Sequence, residues 1–84
     1  MTDMLVRVLL FAAARDHVGA DAVSVEVPAG ATVAVLRVTL ARQFPVLASL
    51  LARSAIAVNH DFSEDSRVLA ASDEVAIIPP VSGG

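Results

Sequence analysis

Residues 32–44 form the one long stretch of helical periodicity in a chain of 84 residues. Val33, Leu36, Leu40 and Phe44 recur at spacings of three and four, while Arg37, Arg42 and Gln43 lie off that line, the pattern of a helix with a single apolar stripe. Thr32 is placed to cap its start, after the turn signal Pro28-Ala29-Gly30. Pro45 ends it, because the residue before a proline is pushed out of the α region. The leucines of residues 46–51 fold back under the helix end as core filler. One helix can cover one face of one sheet, so the rest of the chain must supply that sheet.

Residues 4–11 are apolar apart from Arg7 and predict a central strand buried on both faces. Residues 12–19 predict a turn or two of helix, closed by Gly19 in a left-handed C-terminal position. Val23-Ser24-Val25-Glu26-Val27 alternates with period two, a half-exposed strand expected to pair antiparallel with the first. After the main helix come a strand over 55–59, a turn through His60 and Asp61, a brief strand near Val68-Leu69, a turn at Ala71-Ser72-Asp73 and a last strand over 74–78. The order predicts a two-layer α+β domain with the first and last strands as parallel neighbours at the centre of a mixed sheet. The last strand then delivers residues 79–84 from the middle of that sheet.

The length allows one domain, residues 1–84, of a size at which about 60–70% of the unfolded surface is removed on folding. With 56% hydrophobic residues and a mean hydropathy of +0.71, some apolar surface is expected to face a partner. A net charge of −3 and six dispersed arginines leave no basic stripe and argue against nucleic acid. No stretch approaches a membrane span. Residues 8–14 sit at the short end of a secretory signal core, with one basic residue before them, and cleavage there would remove the first strand. The expectation is a soluble, cytoplasmic protein.

Cysteine is absent, which excludes disulfides and thiolate sites. Lysine is absent too, since Arg7, Arg15, Arg37, Arg42, Arg53 and Arg67 account for all six basic residues. Compositional bias toward arginine and alanine explains this; protection of an activated acyl group from internal amines explains it as well. His60, Asp61, Glu64 and Asp65 cluster in sequence without the spacing of a ligand set, so no metal site is expected. His17 is isolated, and Ser82 has no base partner, so no triad is implied.

The strand-strand-helix-strands order, "LLFAAARDHVG" near the start, "VNHDF" in the middle and "DEVAIIPPVSGG" at the end together resemble the MoaD/ThiS family of ubiquitin-like sulfur carriers, most closely its molybdopterin-synthase branch. The resemblance spans the chain and is most specific over residues 73–84. It implies a ubiquitin-like β-grasp fold with one main helix on one face and a protruding C-terminal tail. It further implies that Gly84 is adenylated by a ubiquitin-activating-like adenylyltransferase using ATP, receives sulfur from a persulfide donor as a thiocarboxylate, and delivers it to cyclic pyranopterin monophosphate. The implied partner is the large subunit of molybdopterin synthase, in a heterotetramer, with no cofactor bound by this chain. Two turn positions depart from the resembled family: Ser72 stands where a glycine is common before Asp-Glu, and His60 where a glycine or a polar residue often follows Val-Asn.

The tail fits that chemistry. A terminal carboxylate is anionic at neutral pH and must be activated before a nucleophile attacks it. Gly83 and Gly84 lack a β-carbon, so the backbone can thread a narrow channel. Pro79 and Pro80 stiffen the stalk, Val81 and Ser82 become channel contacts, and the six residues reach about 20 Å. Phe11, Phe62 and Ile78 are expected to form an apolar patch on the exposed sheet face, which the resemblance implies docks the large subunit and the activating enzyme, or else the two phenylalanines are ordinary core. Arg15 either anchors a partner's carboxylate or is solvated. Competing with sulfur transfer to molybdopterin are sulfur transfer of the thiamine-thiazole type and a ubiquitin-like modifier or interaction module.

Overall fold

The computed structural model describes residues 3–80; the tail positions Val81, Ser82, Gly83 and Gly84 lie outside the described residues. Its elements run β1 (Asp3–Leu10), α1 (Ala12–Val18), β2 (Ala22–Pro28), α2 (Val33–Gln43), a 3-10 turn (Pro45–Leu47), α3 (Ala48–Arg53), β3 (Ala55–Val58), β4 (Asp61–Ser63) and β5 (Glu74–Ile78). The five strands form one mixed sheet in the order β2-β1-β5-β3-β4. β1 pairs antiparallel with β2, Val6 opposite Val25, and parallel with β5, Val8 opposite Val75. β3 runs antiparallel to β5 and to β4. This is the β-grasp arrangement, with β5 in the middle of the sheet.

Local chemistry sets the boundaries. Gly19 takes φ 80° at the end of α1 and donates its N–H to the Arg15 carbonyl at 2.7 Å, a left-handed cap that glycine adopts without a side-chain clash. The Thr32 hydroxyl accepts from the Val35 N–H at 3.4 Å, and the Phe44 N–H closes α2 on the Leu40 carbonyl at 2.7 Å. Pro45 then opens the 3-10 turn, a position where its missing N–H costs nothing. Residues 46–51 do supply core leucines, Leu47 from the 3-10 turn and Leu50 and Leu51 from α3. Arg37 binds this region together, its Nε donating to Asp65 at 2.8 Å and its Nη1 to the Leu51 carbonyl.

The helices lie over the sheet face that presents Val6, Val8 and Leu10 of β1, Val25 and Val27 of β2, Ile56 and Val58 of β3, and Val75 and Ile77 of β5; these pack in one cluster with Val33, Leu36, Leu40 and the α3 leucines. Among the described residues nothing covers the other face. The expectation that the first strand is buried on both sides is therefore corrected: Val6, Val8 and Leu10 are buried, whereas Leu5 is exposed and Leu9 only half-buried. A continuous apolar run marks burial on both faces only where two layers exist to provide it.

Two smaller expectations change as well. The turn after β3 is Asn59-His60, and Asp61 already belongs to β4. Val68 makes an isolated bridge to Thr32, not a strand; Leu69 reaches the core from this loop, its N–H on the Ala31 carbonyl at 2.8 Å.

The one-sided core gives a simple test. Leu36 is fully buried and Val38, two residues on, is 52% exposed. In urea denaturation Leu36→Ala lowers stability by about 2–5 kcal/mol, whereas Val38→Ala stays within about 0.5 kcal/mol of the unsubstituted chain.

Candidate functional site

The uncovered face of the sheet is built by alternation. Where Val8 and Val75 point into the core, Leu9 and Ala76 must point out. Strand register then aligns Leu9, Ala76, Ala57 and Phe62 in one row across β1, β5, β3 and β4. The two small alanines make a floor between two large walls. Phe11 and Ile78 close the end from which the tail departs, and His60 and Glu74 close the other, giving a depression of about 260 Å³ lined by these eight residues. Ala57 is buried yet stands outside the core cluster, as a floor residue should.

Phe11 is 45% and Phe62 74% exposed; neither belongs to the core, which settles where the two rings lie without assigning them a role. Exposed aromatics grouped around a concavity are the usual mark of a docking surface. Pro79 and Pro80 follow directly from Ile78, the half-buried and exposed start of the tail. Arg15 does not join this group. It sits on α1, 3.9 Å from Asp21, with both side chains mostly in solvent, a pair of little energetic weight. The acidic residues and histidine grouped in sequence are separated in space by their partners, Asp65 with Arg37 and His60 with Glu74. Among the described residues no group of three or more His, Cys, Asp or Glu could hold a metal ion, and no helix is long and apolar enough to cross a membrane.

Leu9, Ala57, Ala76 and Glu74 were not singled out by the sequence, and His60 was singled out only as part of an acidic cluster and as a turn residue. β1 and β5 carry apolar residues on both faces, so no alternation in the sequence separated the open face from the core. The polar end of the depression is held firmly. Asn59 donates its N–H to the Glu74 carbonyl at 2.8 Å, and its side-chain oxygen accepts from the Glu74 N–H at 2.9 Å. Its Nδ2 donates to Asp73 at 2.9 Å, and the other Asp73 oxygen accepts from the Ala70 N–H at 2.8 Å.

The Ala70 N–H, and after it the Asn59 amide, hold the Asp73 carboxyl below its ordinary value of 3.8; Arg67 adds a little, and partial burial opposes. A carboxylate depressed in the folded state stabilises above its unfolded value and loses that contribution as the pH falls through its folded one. Asp73→Ala should therefore cost about 1 kcal/mol at pH 7, a difference that shrinks as denaturation is followed from pH 4 downward. Phe62→Ala, by contrast, changes stability by no more than about 0.5 kcal/mol, because the ring is already in water.

Comparison with known proteins bears on the family and the fold. The model of the ThiS family matches residues 8–84. A molybdopterin synthase sulfur carrier subunit from Arabidopsis thaliana is 37% identical over 79 residues, 94% of this chain and 82% of its own. Among solved structures, SAMP1, small archaeal modifier protein 1 from Haloferax volcanii, superposes with a TM-score of 0.84 at 28% identity, covering 95% of this chain and 99% of its own. A ubiquitin from Caldiarchaeum subterraneum shares the fold at a TM-score of 0.67 and 17% identity, over 99% of this chain and 100% of its own.

Proposed function

This chain belongs to the ThiS family, and from that premise we propose that it is the sulfur-carrier subunit of a molybdopterin synthase. The observation that carries the reading is the join between docking face and tail: β5 runs out of the middle of the sheet past Phe11 and Ile78 straight into Pro79-Pro80. A partner seated on the open face would receive the tail in the same engagement. The name of the Arabidopsis relative supports the pathway.

In this reading the Gly84 carboxylate attacks the α-phosphorus of ATP within the adenylyltransferase and pyrophosphate leaves. The resulting acyl-adenylate is attacked by a persulfide sulfur, AMP leaves, and thiol reduction of the acyl disulfide frees the thiocarboxylate. ATP belongs to the activating enzyme; this chain supplies the acyl group and the docking face and binds no cofactor. The large subunit then accepts the tail; the thiocarboxylate sulfur attacks cyclic pyranopterin monophosphate, and water cleaves the resulting acyl–sulfur bond, leaving sulfur on the pterin and returning the Gly84 carboxylate. The reaction takes place in the cytoplasm, in a heterotetramer with the large subunit. Glycine at the last two positions lets the reacting carbonyl reach the floor of a partner's site, and proline at 79 and 80 lowers the entropy lost when the tail inserts.

The likeness to a small archaeal modifier protein favours one alternative, in which the same activated terminus is passed to an amine on another protein. Two variants separate docking from chemistry. One alanine added after Gly84 leaves the fold and the complex with the large subunit intact and abolishes sulfur loading; sulfur transfer by this extended chain without trimming would contradict the proposal. Phe62→Asp leaves adenylation chemistry at the terminus available but weakens the large-subunit complex by more than about tenfold, measured by calorimetric titration.

A further inference from the structure

Three residues other than glycine occupy the left-handed region among the described residues: Ala12 at φ 49°, Asn59 at 52° and His60 at 72°. Of the three, His60 lines the depression; Asn59 precedes it in the turn, and Ala12 follows the lining residue Phe11 in sequence. Two successive positive φ values form the turn type that joins tightly paired strands, and its second position strongly favours glycine. Asparagine and histidine enter this region more often than other residues with a side chain, but both do so at a cost that glycine does not bear. Backbone strain of this kind collects at functional sites, and the inference runs from the outlier to the function.

Asn59 has a structural task, since its three hydrogen bonds fix the hairpin tip to the start of β5. His60 has none of that kind. Its side chain is 86% exposed, with Nε2 3.5 Å from a Glu74 carboxylate oxygen that is itself on a half-exposed side chain. That separation is too long for a good N–H···O bond, so neither group saturates the other. Arg7 lies opposite Glu74 in register, yet the ion-pair contact Glu74 makes among the described residues is with His60. The result is a polar corner, one carboxylate and one imidazole on an anchored hairpin tip, set against the apolar walls of the depression.

We propose that His60 and Glu74 are specificity-determining residues of the docking face. The Glu74 carboxylate takes a cationic hydrogen-bond donor, an arginine or lysine of the large subunit, and the imidazole holds that donor beside the apolar side chain that fills the space between Phe11 and Phe62. This rests on the docking reading given above and adds the chemistry of the partner's contact. A purely apolar knob would leave the carboxylate desolvated and unpaired, at a penalty that discriminates against it.

The experiment is a titration of the full chain with the large subunit from the same organism, at low and high salt. The unsubstituted chain binds and loses affinity as salt rises. Glu74→Gln weakens low-salt binding about tenfold and flattens the salt dependence. His60→Gly relieves the turn and raises the unfolding temperature, yet weakens binding about fivefold; His60→Asn, which keeps the backbone tolerance, weakens it similarly. Binding by His60→Gly as tight as that of the unsubstituted chain overturns the role of His60, and unchanged affinity and salt response in Glu74→Gln overturns the cation site. Absence of binding by the unsubstituted chain itself would instead sink the docking reading, and this inference with it.

Discussion

The parallel ladder between β1 and β5, Arg7 to Leu10 against Glu74 to Ile77, is the contact on which the other features depend. Parallel neighbours cannot be joined by a hairpin, so the chain between them must leave the sheet and return. Here that excursion carries α2, the 3-10 turn and α3, which supply the core leucines. The same ladder brings the end of β1 beside the end of β5. Phe11, the first residue after one strand, thus comes to line the same depression as Ile78, the last residue of the other.

With all helices on one side, the opposite face is left to solvent, and the residues there are not those that solvent would favour. Phe62 at 74% exposure and Leu5 at 59% forgo burial worth roughly 1.5–3 kcal/mol each. Small residues at Ala57 and Ala76 hollow the centre of this face while larger ones raise its edges. The fold tolerates the arrangement because its stability resides in the other layer, where a continuous cluster runs from Val6 to Ile77. Core and open face can therefore vary with little mutual cost.

Much of this was legible in the residues. The stripe of Val33, Leu36 and Leu40 gave the bounds of α2 and its buried side, Thr32 and Pro45 gave its ends, and the valine alternation gave β2 and its pairing. Gly19 marked the close of α1. The failures share a cause: a run of apolar residues states how much surface is to be buried or docked, not which. Leu5 and Leu9 looked like core because a strand's period-two signal is lost when both faces are apolar, and only the absence of a second covering layer distinguishes them. Residues 46–51 lacked a polar face and so gave no helical signature. The three-residue β4 was too short to be periodic, and its two-residue turn carries His60 where glycine would have announced it.

The central claim is that the open face and the tail it leads into serve one chemical purpose at Gly84. The most direct measurement is the intact mass of the chain, mapped to its C-terminal peptide, after incubation with the activating enzyme, ATP and a persulfide donor. Replacement of one oxygen by one sulfur at Gly84 is the predicted result. An unchanged terminus, or a chain recovered only as adducts on the lysines of other proteins, would contradict it.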